Sequence, residues 1–268
     1  MQLREVTFDG RRTRVWVGGE GQPLLLLHGA WGDAQSHWAG VWDALSERHL
    51  VVAPDFPGIA DDTPWVPSTF DESAGWAEGV LGALGLPSAW VLGNSFGAAV
   101  AARLASREPR LCLGLVLVNG MPAPHLPGPL RAVGRRRPFR RGMEGLLGRL
   151  AYGQGAAERA FADSANIPPS IDRILAQRRP RQLLVTSCIL LAADRSTGLP
   201  AVRTLLLWGV ADTLSGSSVA DARRLQQRLD DARLIEIADA GHLPQLEQPD
   251  AFVAGLLDFT GCPEFARP

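Results

Sequence analysis

The stretch VLGNSFGAAV, residues 91–100, decides how this chain folds. An apolar run leads into Gly93, and an alanine-rich, helix-favouring segment follows Gly97. This order predicts a buried strand, one tight turn and a helix, with Ser95 at the tip of the turn. Glycines on both sides of Ser95 suit a strained turn in which the strand and the helix nearly touch. The G-x-S-x-G spacing is typical of a nucleophile elbow, although glycine and serine also occur in ordinary strand-to-helix turns.

The overall composition limits the class of protein. The chain has 268 residues, 46% of them apolar, which suits one α/β domain that carries an insertion. A formal net charge of −1 argues against a nucleic-acid-binding protein and against a protein of the membrane surface. We expect a soluble, cytoplasmic protein, because the first residues form no apolar leader and no apolar run reaches the roughly 18 residues of a membrane span.

The cysteines and lysines exclude further kinds of chemistry. Cys112, Cys188 and Cys262 are odd in number and lack C-x-x-C spacing, which favours reduced structural thiols over disulfides or a metal site. The chain contains no lysine, so Schiff-base catalysis and P-loop phosphate binding are excluded. We expect neither a metal nor a cofactor.

Apolar strands alternate with helical patterns on both sides of residues 91–100. Two short strands around a turn at residues 9–10 predict a hairpin at the edge of a sheet. Continuous apolar runs, typical of strands buried on both faces of a parallel sheet, lie at residues 23–27, 50–53, 113–118 and 204–208. A further strand is predicted at residues 233–237. Helices are predicted over residues 33–45, 69–84, 98–106, 219–229 and 249–259; the second begins with the capping-box pattern of Thr69 and Glu72.

The alternation stops between residues 121 and 199, which are rich in Pro, Gly and Arg. We interpret these residues as an inserted, mostly helical cap. Residues 1–120 and 200–268 are then the core domain, a mostly parallel sheet with right-handed crossovers and helices on both faces.

The residues with chemistry follow four predicted strands. They are the segment 28–31 (His-Gly-Ala-Trp), Ser95, Asp212 and His242. The carboxyl ends of parallel strands meet at one edge of a sheet, and the chain order Ser, Asp, His is that of the α/β-hydrolase fold. With these motifs the chain resembles capped α/β-hydrolases over essentially its whole length.

The resemblance implies a role for each of these residues. Ser95 would be the nucleophile, His242 its general base, and Asp212 the acid that orients the imidazole. The backbone N–H groups of Phe96 and Ala30 would form the oxyanion hole.

Other candidates for the site remain open. Trp31 is a second candidate for the loop donor and, with His125, for contact with the substrate. Asp239 lies three residues before His242 and is an alternative acid, although it would have to fold back. The remaining histidines are interpreted as structural: His28, which shapes the oxyanion loop, His37 and His49.

The expected activity is hydrolysis of a small-molecule carboxylic ester or thioester through an acyl-enzyme, and carrier-protein methyl-ester esterases resemble the chain in layout. A C–C bond hydrolase, or a non-hydrolytic lyase or cyclase on the same scaffold, is an alternative. Residues 93–95 resemble those of meta-cleavage-product hydrolases, whose Gly-Pro-Gly oxyanion loop is absent here. A small-molecule receptor that keeps the three residues for binding is a third possibility.

A group of arginines in the predicted cap faces few acidic residues. It is either a solvated basic face or a docking surface for an anionic group, such as an acyl-carrier protein, a coenzyme A phosphate or a substrate carboxylate. The group consists of Arg131, Arg135, Arg136, Arg137, Arg140, Arg141 and Arg149.

Overall fold

Eight strands of the chain form one sheet. They are β1 (Gln2–Phe8), β2 (Arg11–Gly18), β3 (Gln22–Leu27), β4 (His49–Pro54), β5 (Ala89–Asn94), β6 (Cys112–Val118), β7 (Thr204–Gly209) and β8 (Ala232–Ile237). Their order across the sheet is β1-β2-β4-β3-β5-β6-β7-β8. Neighbouring strands run parallel except for the pairs β1–β2 and β2–β4. The computed structural model describes residues 1–60, 63–122, 156–163, 165, 167–169, 171, 198–213 and 218–261.

Helices cover both faces of this sheet. They are α1 (Ala34–Trp38), α2 (Trp42–Ser46), α3 (Phe70–Ala83), α4 (Phe96–Arg107), α5 (Ala156–Ala160), α6 (Val219–Gln226), α7 (Pro244–Glu247) and α8 (Pro249–Thr260). One apolar core contains residues of α3, α4 and α6, and a second core contains residues of α1, α2 and α8. Leu25 and Leu27 join the first core whereas Leu24 and Leu26 join the second, because successive side chains of a strand point to opposite faces. The predicted fold class is confirmed.

The predicted edge hairpin is present. Strands β1 and β2 pair in antiparallel register, and β1 is the edge of the sheet. Asp9 and Gly10 connect them with φ angles of +49° and +70°, the left-handed conformations that suit a two-residue hairpin turn.

The helix predicted over residues 33–45 is wrong in one respect, because the structure has two short helices there. Asp33 caps α1 through a capping box with Ser36, and the chain leaves the helix before α2 begins. Gly40 stands in the break, where its low helix propensity favours an interruption. The apolar side chains of both helices are nevertheless buried in the same core.

The capping box predicted for α3 is only half formed. The Thr69 hydroxyl accepts the backbone N–H of Glu72 at 3.1 Å, as expected. The Glu72 carboxylate instead accepts from the backbone N–H and the hydroxyl of Ser68. Ser68, one position before Thr69, therefore binds the carboxylate of Glu72.

Helix α6 ends at Gln226, three residues before the predicted end.

Most of the predicted cap lies outside the described residues. Helix α5 and a few following residues are described within residues 121–199, and the mostly helical cap stays a prediction. His125 and the arginines between residues 131 and 149 also lie outside the described part, as do Cys188 and Cys262. Cys112 is a free, buried thiol. None of the helices in the described part of the chain has the length and apolarity that crossing a membrane requires.

Candidate active site

Ser95 stands at the tip of the turn between β5 and α4. Its φ and ψ of +54° and −113° lie in a region that residues with a side chain rarely adopt. The turn is tight because its glycines have no side chain. A Cβ on Gly93 would lie 2.1 Å from the oxygen of Gly97, and a Cβ on Gly97 would lie 2.2 Å from the oxygen of Leu27. The strained serine thus depends on both flanking glycines.

His242 and Asp212 lie in the loops after β8 and β7 and are hydrogen-bonded to each other. The distance between Nδ1 of His242 and Oδ2 of Asp212 is 2.7 Å, and both side chains are buried. A carboxylate only accepts, so the imidazole carries its proton on Nδ1 and presents Nε2 as a proton acceptor. The backbones of these two loops are in direct contact. A Cβ on Gly209 would lie 2.1 Å from the backbone oxygen of Gly241.

Asp239, the alternative acid, has a different position. It is exposed and has a φ of +53°, and its carbonyl oxygen accepts the side-chain amide of Gln248 at 3.2 Å. The structure therefore brings Asp212, and not Asp239, into hydrogen-bond contact with His242.

Asn94 joins the loop of Ser95 to the loop of His242. Its side-chain amide donates to the carbonyl oxygens of Val118 and His242, each at 3.1 Å. Asn94 is fully buried, and these two hydrogen bonds connect β5, β6 and the histidine loop directly. The positions of Ser95 and His242 are thereby linked through a side chain that immediately precedes the serine.

Asn119 holds the carboxylate of Asp212 from the end of β6. Its Nδ2 donates to Oδ2 of Asp212 at 2.8 Å, and its Oδ1 accepts the backbone N–H of Gly209 at 2.9 Å. Sequence reasoning did not assign a function to Asn94 or Asn119. The available signal was an asparagine at the carboxyl end of a strand buried on both faces, where a polar side chain requires a partner.

The segment 28–31 passes beside Ser95. A Cβ on Gly29 would lie 3.6 Å from Cβ of Ser95. His28 accepts the backbone N–H of Phe56 on Nε2 at 2.9 Å and donates from Nδ1 to the oxygen of Gly29 at 2.7 Å. Through these two hydrogen bonds the imidazole of His28 shapes the segment. Ala30 is the next residue, and Phe96 begins α4 directly after the serine; their role as oxyanion-hole donors stays a prediction.

The other two described histidines are buried, and their structural role stays a prediction. Burial, and secondarily the nearby His28, lowers the pKa of His37 to about 3, and its Nδ1 donates to the oxygen of Asp33 at 3.1 Å. Burial also lowers the pKa of His49. The ring of His49 is held between the carbonyl oxygen of Gln22 and the hydroxyl of Thr260.

Trp31 lies between the site and the insertion. Its ring centroid is 6.2 Å from that of His242. It is almost completely buried in a small apolar cluster with Leu243 and with three residues of the insertion, Ala160, Phe161 and Ile171. Contact of Trp31 or His125 with a substrate stays a prediction. Within the described residues, no group of three or more His, Cys, Asp or Glu side chains could hold a metal ion.

A serine on a strained elbow, joined through Asn94 to the loop of a buried histidine–aspartate pair, is typical of hydrolases of the α/β class. The chain belongs to the alpha/beta hydrolase family, whose model matches residues 24–255. The resemblance stated from the sequence is confirmed, and the protein is a hydrolase.

The relatives differ in the substrates that their names give. The chain is 29% identical over 269 residues to a 2-hydroxymuconate semialdehyde hydrolase of Pseudomonas sp. (strain CF600). The aligned region covers 96% of this chain and 93% of that hydrolase. It is 26% identical over 260 residues to a pimeloyl-[acyl-carrier protein] methyl ester esterase of Nitrosospira multiformis, with 90% and 95% covered. It is also 31% identical over 268 residues to the polyketide synthase ThaQ of Burkholderia thailandensis. That match covers 93% of this chain and only 12% of the synthase.

Proposed function

We propose that this chain hydrolyses carboxylic esters or thioesters through a serine acyl-enzyme. The 2.7 Å hydrogen bond between His242 and Asp212, in a loop tied by Asn94 to the elbow of Ser95, is the observation that carries the proposal. A serine hydroxyl is a weak nucleophile until a base removes its proton, and an imidazole whose Nδ1 is held by a carboxylate suits that task.

In the proposed acylation, Oγ of Ser95 attacks the carbonyl carbon while Nε2 of His242 takes the hydroxyl proton. Asp212 stabilises the imidazolium that forms and keeps its ring in place. When the tetrahedral intermediate collapses, the bond to the leaving oxygen or sulfur breaks, and Nε2 returns the proton to the departing alcohol or thiol.

Deacylation repeats these steps with water. Nε2 of His242 takes a proton from the water as its oxygen attacks the acyl carbon, and then protonates Oγ of Ser95 as the acid leaves. The N–H groups of Phe96 and Ala30 are the proposed donors to the oxyanion in both steps. Each such donor contributes about 3 kcal/mol to transition-state stabilisation in hydrolases where it has been removed.

Cleavage of a C–C bond is the second candidate. Its support is the 29% identity to a 2-hydroxymuconate semialdehyde hydrolase over nearly the whole chain, together with Asn94 directly before Ser95. A vinylogous diketone turned over without ester activity would favour this candidate.

Delivery of the acyl group on a carrier protein is a further proposal about the substrate. It is supported by the arginine-rich part of the insertion and by the similarity to an esterase whose name specifies an acyl-carrier-protein ester. Replacing Arg135, Arg136 and Arg137 with serine should raise KM for a carrier-bound ester and leave a small neutral ester unaffected, and added salt should act in the same way. Equal effects on both substrates would identify the arginine group as a solvated face.

A cytoplasmic location of the protein stays a prediction.

The proposed function is tested by labelling and turnover in the same samples. A fluorophosphonate should form one adduct, on Ser95, in protein that hydrolyses p-nitrophenyl butyrate, and Ser95→Ala should abolish both. Ser106→Ala is the matched control, because this hydroxyl lies near the end of α4 and donates to the carbonyl oxygens of Ala102 and Gly198. An adduct on another serine contradicts the assignment of the nucleophile. Tight binding of esters without any turnover would favour the receptor.

A further inference from the structure

A second carboxylate, that of Glu247, contacts the loop of His242. Glu247 is the last residue of α7, and its Oε1 accepts the backbone N–H groups of Gly241 at 2.9 Å and Leu243 at 3.4 Å. Its Oε2 accepts the backbone N–H of Ala162, in the insertion, at 2.7 Å. One side chain therefore bonds both neighbours of His242 with one oxygen and the insertion with the other.

The backbone of His242 itself is held on two further sides. Its N–H donates to the oxygen of Ala160 at 2.5 Å, and its carbonyl oxygen accepts the side-chain amide of Asn94 at 3.1 Å. The insertion approaches so closely that a Cβ on Gly241 would lie 2.3 Å from the oxygen of Ala160. Residues 158–163 of the insertion and the loop 241–243 are thus one hydrogen-bonded unit.

The hydrogen bonds of Glu247 offset the cost of burying its carboxylate near another negative charge. Desolvation of the half-buried side chain raises the pKa of its carboxyl, the negative charge of Asp212 raises this pKa further, and the three backbone N–H groups oppose both effects. A buried carboxylate destabilises a fold unless donors replace its lost hydration. Here those donors belong to the histidine loop and to the insertion.

We propose that Glu247 is a positioning residue that couples residues 158–163 of the insertion to the loop 241–243 and so orients His242 toward Ser95. It acts through the backbone of the loop and does not touch the reacting atoms. The proposal rests on the proposed role of His242 as the general base. It makes part of the insertion a component of the catalytic apparatus.

The test replaces Glu247 with glutamine, which has one acceptor oxygen and one amide donor and cannot accept from both sides. Glu247→Gln should lower kcat for p-nitrophenyl butyrate by about 10-fold, since hydrogen bonds to charged groups contribute on this scale, with KM changed by less than about 2-fold. Glu236→Gln is the matched control, because that carboxylate pairs with Arg223 and, among the described residues, forms no hydrogen bond with the site. It should keep the kcat of the unmodified protein.

Hydrogen exchange gives a readout that does not depend on ester turnover. Backbone amides of residues 158–163 and 239–247 should exchange faster together in Glu247→Gln and stay unchanged in Glu236→Gln. If Glu247→Gln does not fold, Ala162→Pro replaces it, because proline has no N–H to donate to Glu247 from the insertion side. The same loss of kcat and the same joint increase in exchange are expected.

The proposal is overturned if kcat is unchanged, or if only one of the two segments exchanges faster. A parallel rise in KM and fall in kcat, caused by partial unfolding and seen as a lower melting temperature, would also overturn it. If the unmodified protein hydrolyses no ester, the proposed function fails, and the exchange measurement alone decides whether Glu247 couples the two segments.

Discussion

Asn119 donates its side-chain amide to Oδ2 of Asp212 at 2.8 Å, the same oxygen that receives Nδ1–H of His242 at 2.7 Å. The other end of the Asn119 side chain accepts the backbone N–H of Gly209, so the asparagine is itself fixed by β7. Both donors stabilise the negative charge on one carboxylate oxygen. Asn119 therefore fixes the direction from which Asp212 meets the imidazole.

Removal of this amide should weaken catalysis without removing the acid. Asn119→Leu, of similar size, should lower kcat for p-nitrophenyl butyrate by about 10- to 100-fold, because a hydrogen bond to a charged group contributes about 1.5–3 kcal/mol. Steady-state kinetics and a melting curve measure this. Gln226→Leu is the control, since that amide donates to the carbonyl oxygen of Ala232 at the start of β8. An unchanged kcat in Asn119→Leu would show that Asp212 needs no orientation.

The roles of the two candidate acids, Asp212 and Asp239, can be distinguished by replacing each with asparagine. Asp212→Asn replaces the acceptor of Nδ1–H with an amide that favours the wrong tautomer of His242, and we expect a loss of kcat on the order of 10⁴-fold. Asp239→Asn should keep kcat within about 2-fold, because its side chain is exposed on a turn. The opposite pattern in the kinetics would place the acid on the histidine loop.

Replacing glycine with alanine should change the stability of the protein in opposite directions at positions 97 and 82. Gly97→Ala places a methyl group 2.2 Å from the oxygen of Leu27, so the elbow must shift, and both the melting temperature and kcat should fall. Gly82→Ala adds a methyl group to an exposed position of α3 with nothing within 4 Å. It should raise the free energy of unfolding by up to about 1 kcal/mol. Equal effects in thermal unfolding would show that the elbow relaxes freely.

The stability of the protein should fall in mild acid because of His37. Its pKa is about 3 in the fold, against an ordinary value of 6.5 in the unfolded chain. The unfolded state therefore binds one more proton between these values, and the free energy of unfolding decreases as the pH falls through the window. From pH 7 to pH 5 the loss from this group is about 2 kcal/mol.

His37→Gln should reduce that pH dependence by the same amount. Urea unfolding at pH 7 and pH 5 measures it, and each protein is compared with itself, so that the hydrogen bond lost from Asp33 cancels. His49, whose pKa burial also lowers, contributes with the same sign in both proteins. An identical pH dependence of the variant and the parent would mean that folding does not lower the pKa of His37.

The strands and the pairing of loops follow from local patterns in the sequence. Apolar runs of four to six residues identify the central strands, because burial on both faces leaves few polar positions. The position of Asp212 at the site could be predicted because this residue follows the end of a buried strand, β7. The break between α1 and α2 could not, because the apolar spacing of Trp38, Val41, Trp42 and Leu45 continues through it and only Gly40 marks the interruption.

The residues that support the site were beyond sequence reasoning for a different reason. Asn94 and Asn119 act on partners 148 and 93 positions away in the chain, and Glu247 reaches an insertion residue 85 positions away. Such contacts depend on the order of strands across the sheet and on where the insertion returns to it. Neither is contained in a local pattern of residue types.

The hydrogen bonds by which the insertion holds His242 and Glu247 use its backbone atoms, the oxygen of Ala160 and the N–H of Ala162. Backbone groups are the same for nearly every residue type, so their hydrogen bonds tolerate exchange of the neighbouring side chains, provided that the side chain at 160 stays small enough for its buried site. Substrate preference could therefore diversify through the sequence of the insertion while the geometry at His242 is inherited unchanged. A designer who grafts another insertion onto this core needs to match two backbone groups before choosing any side chain.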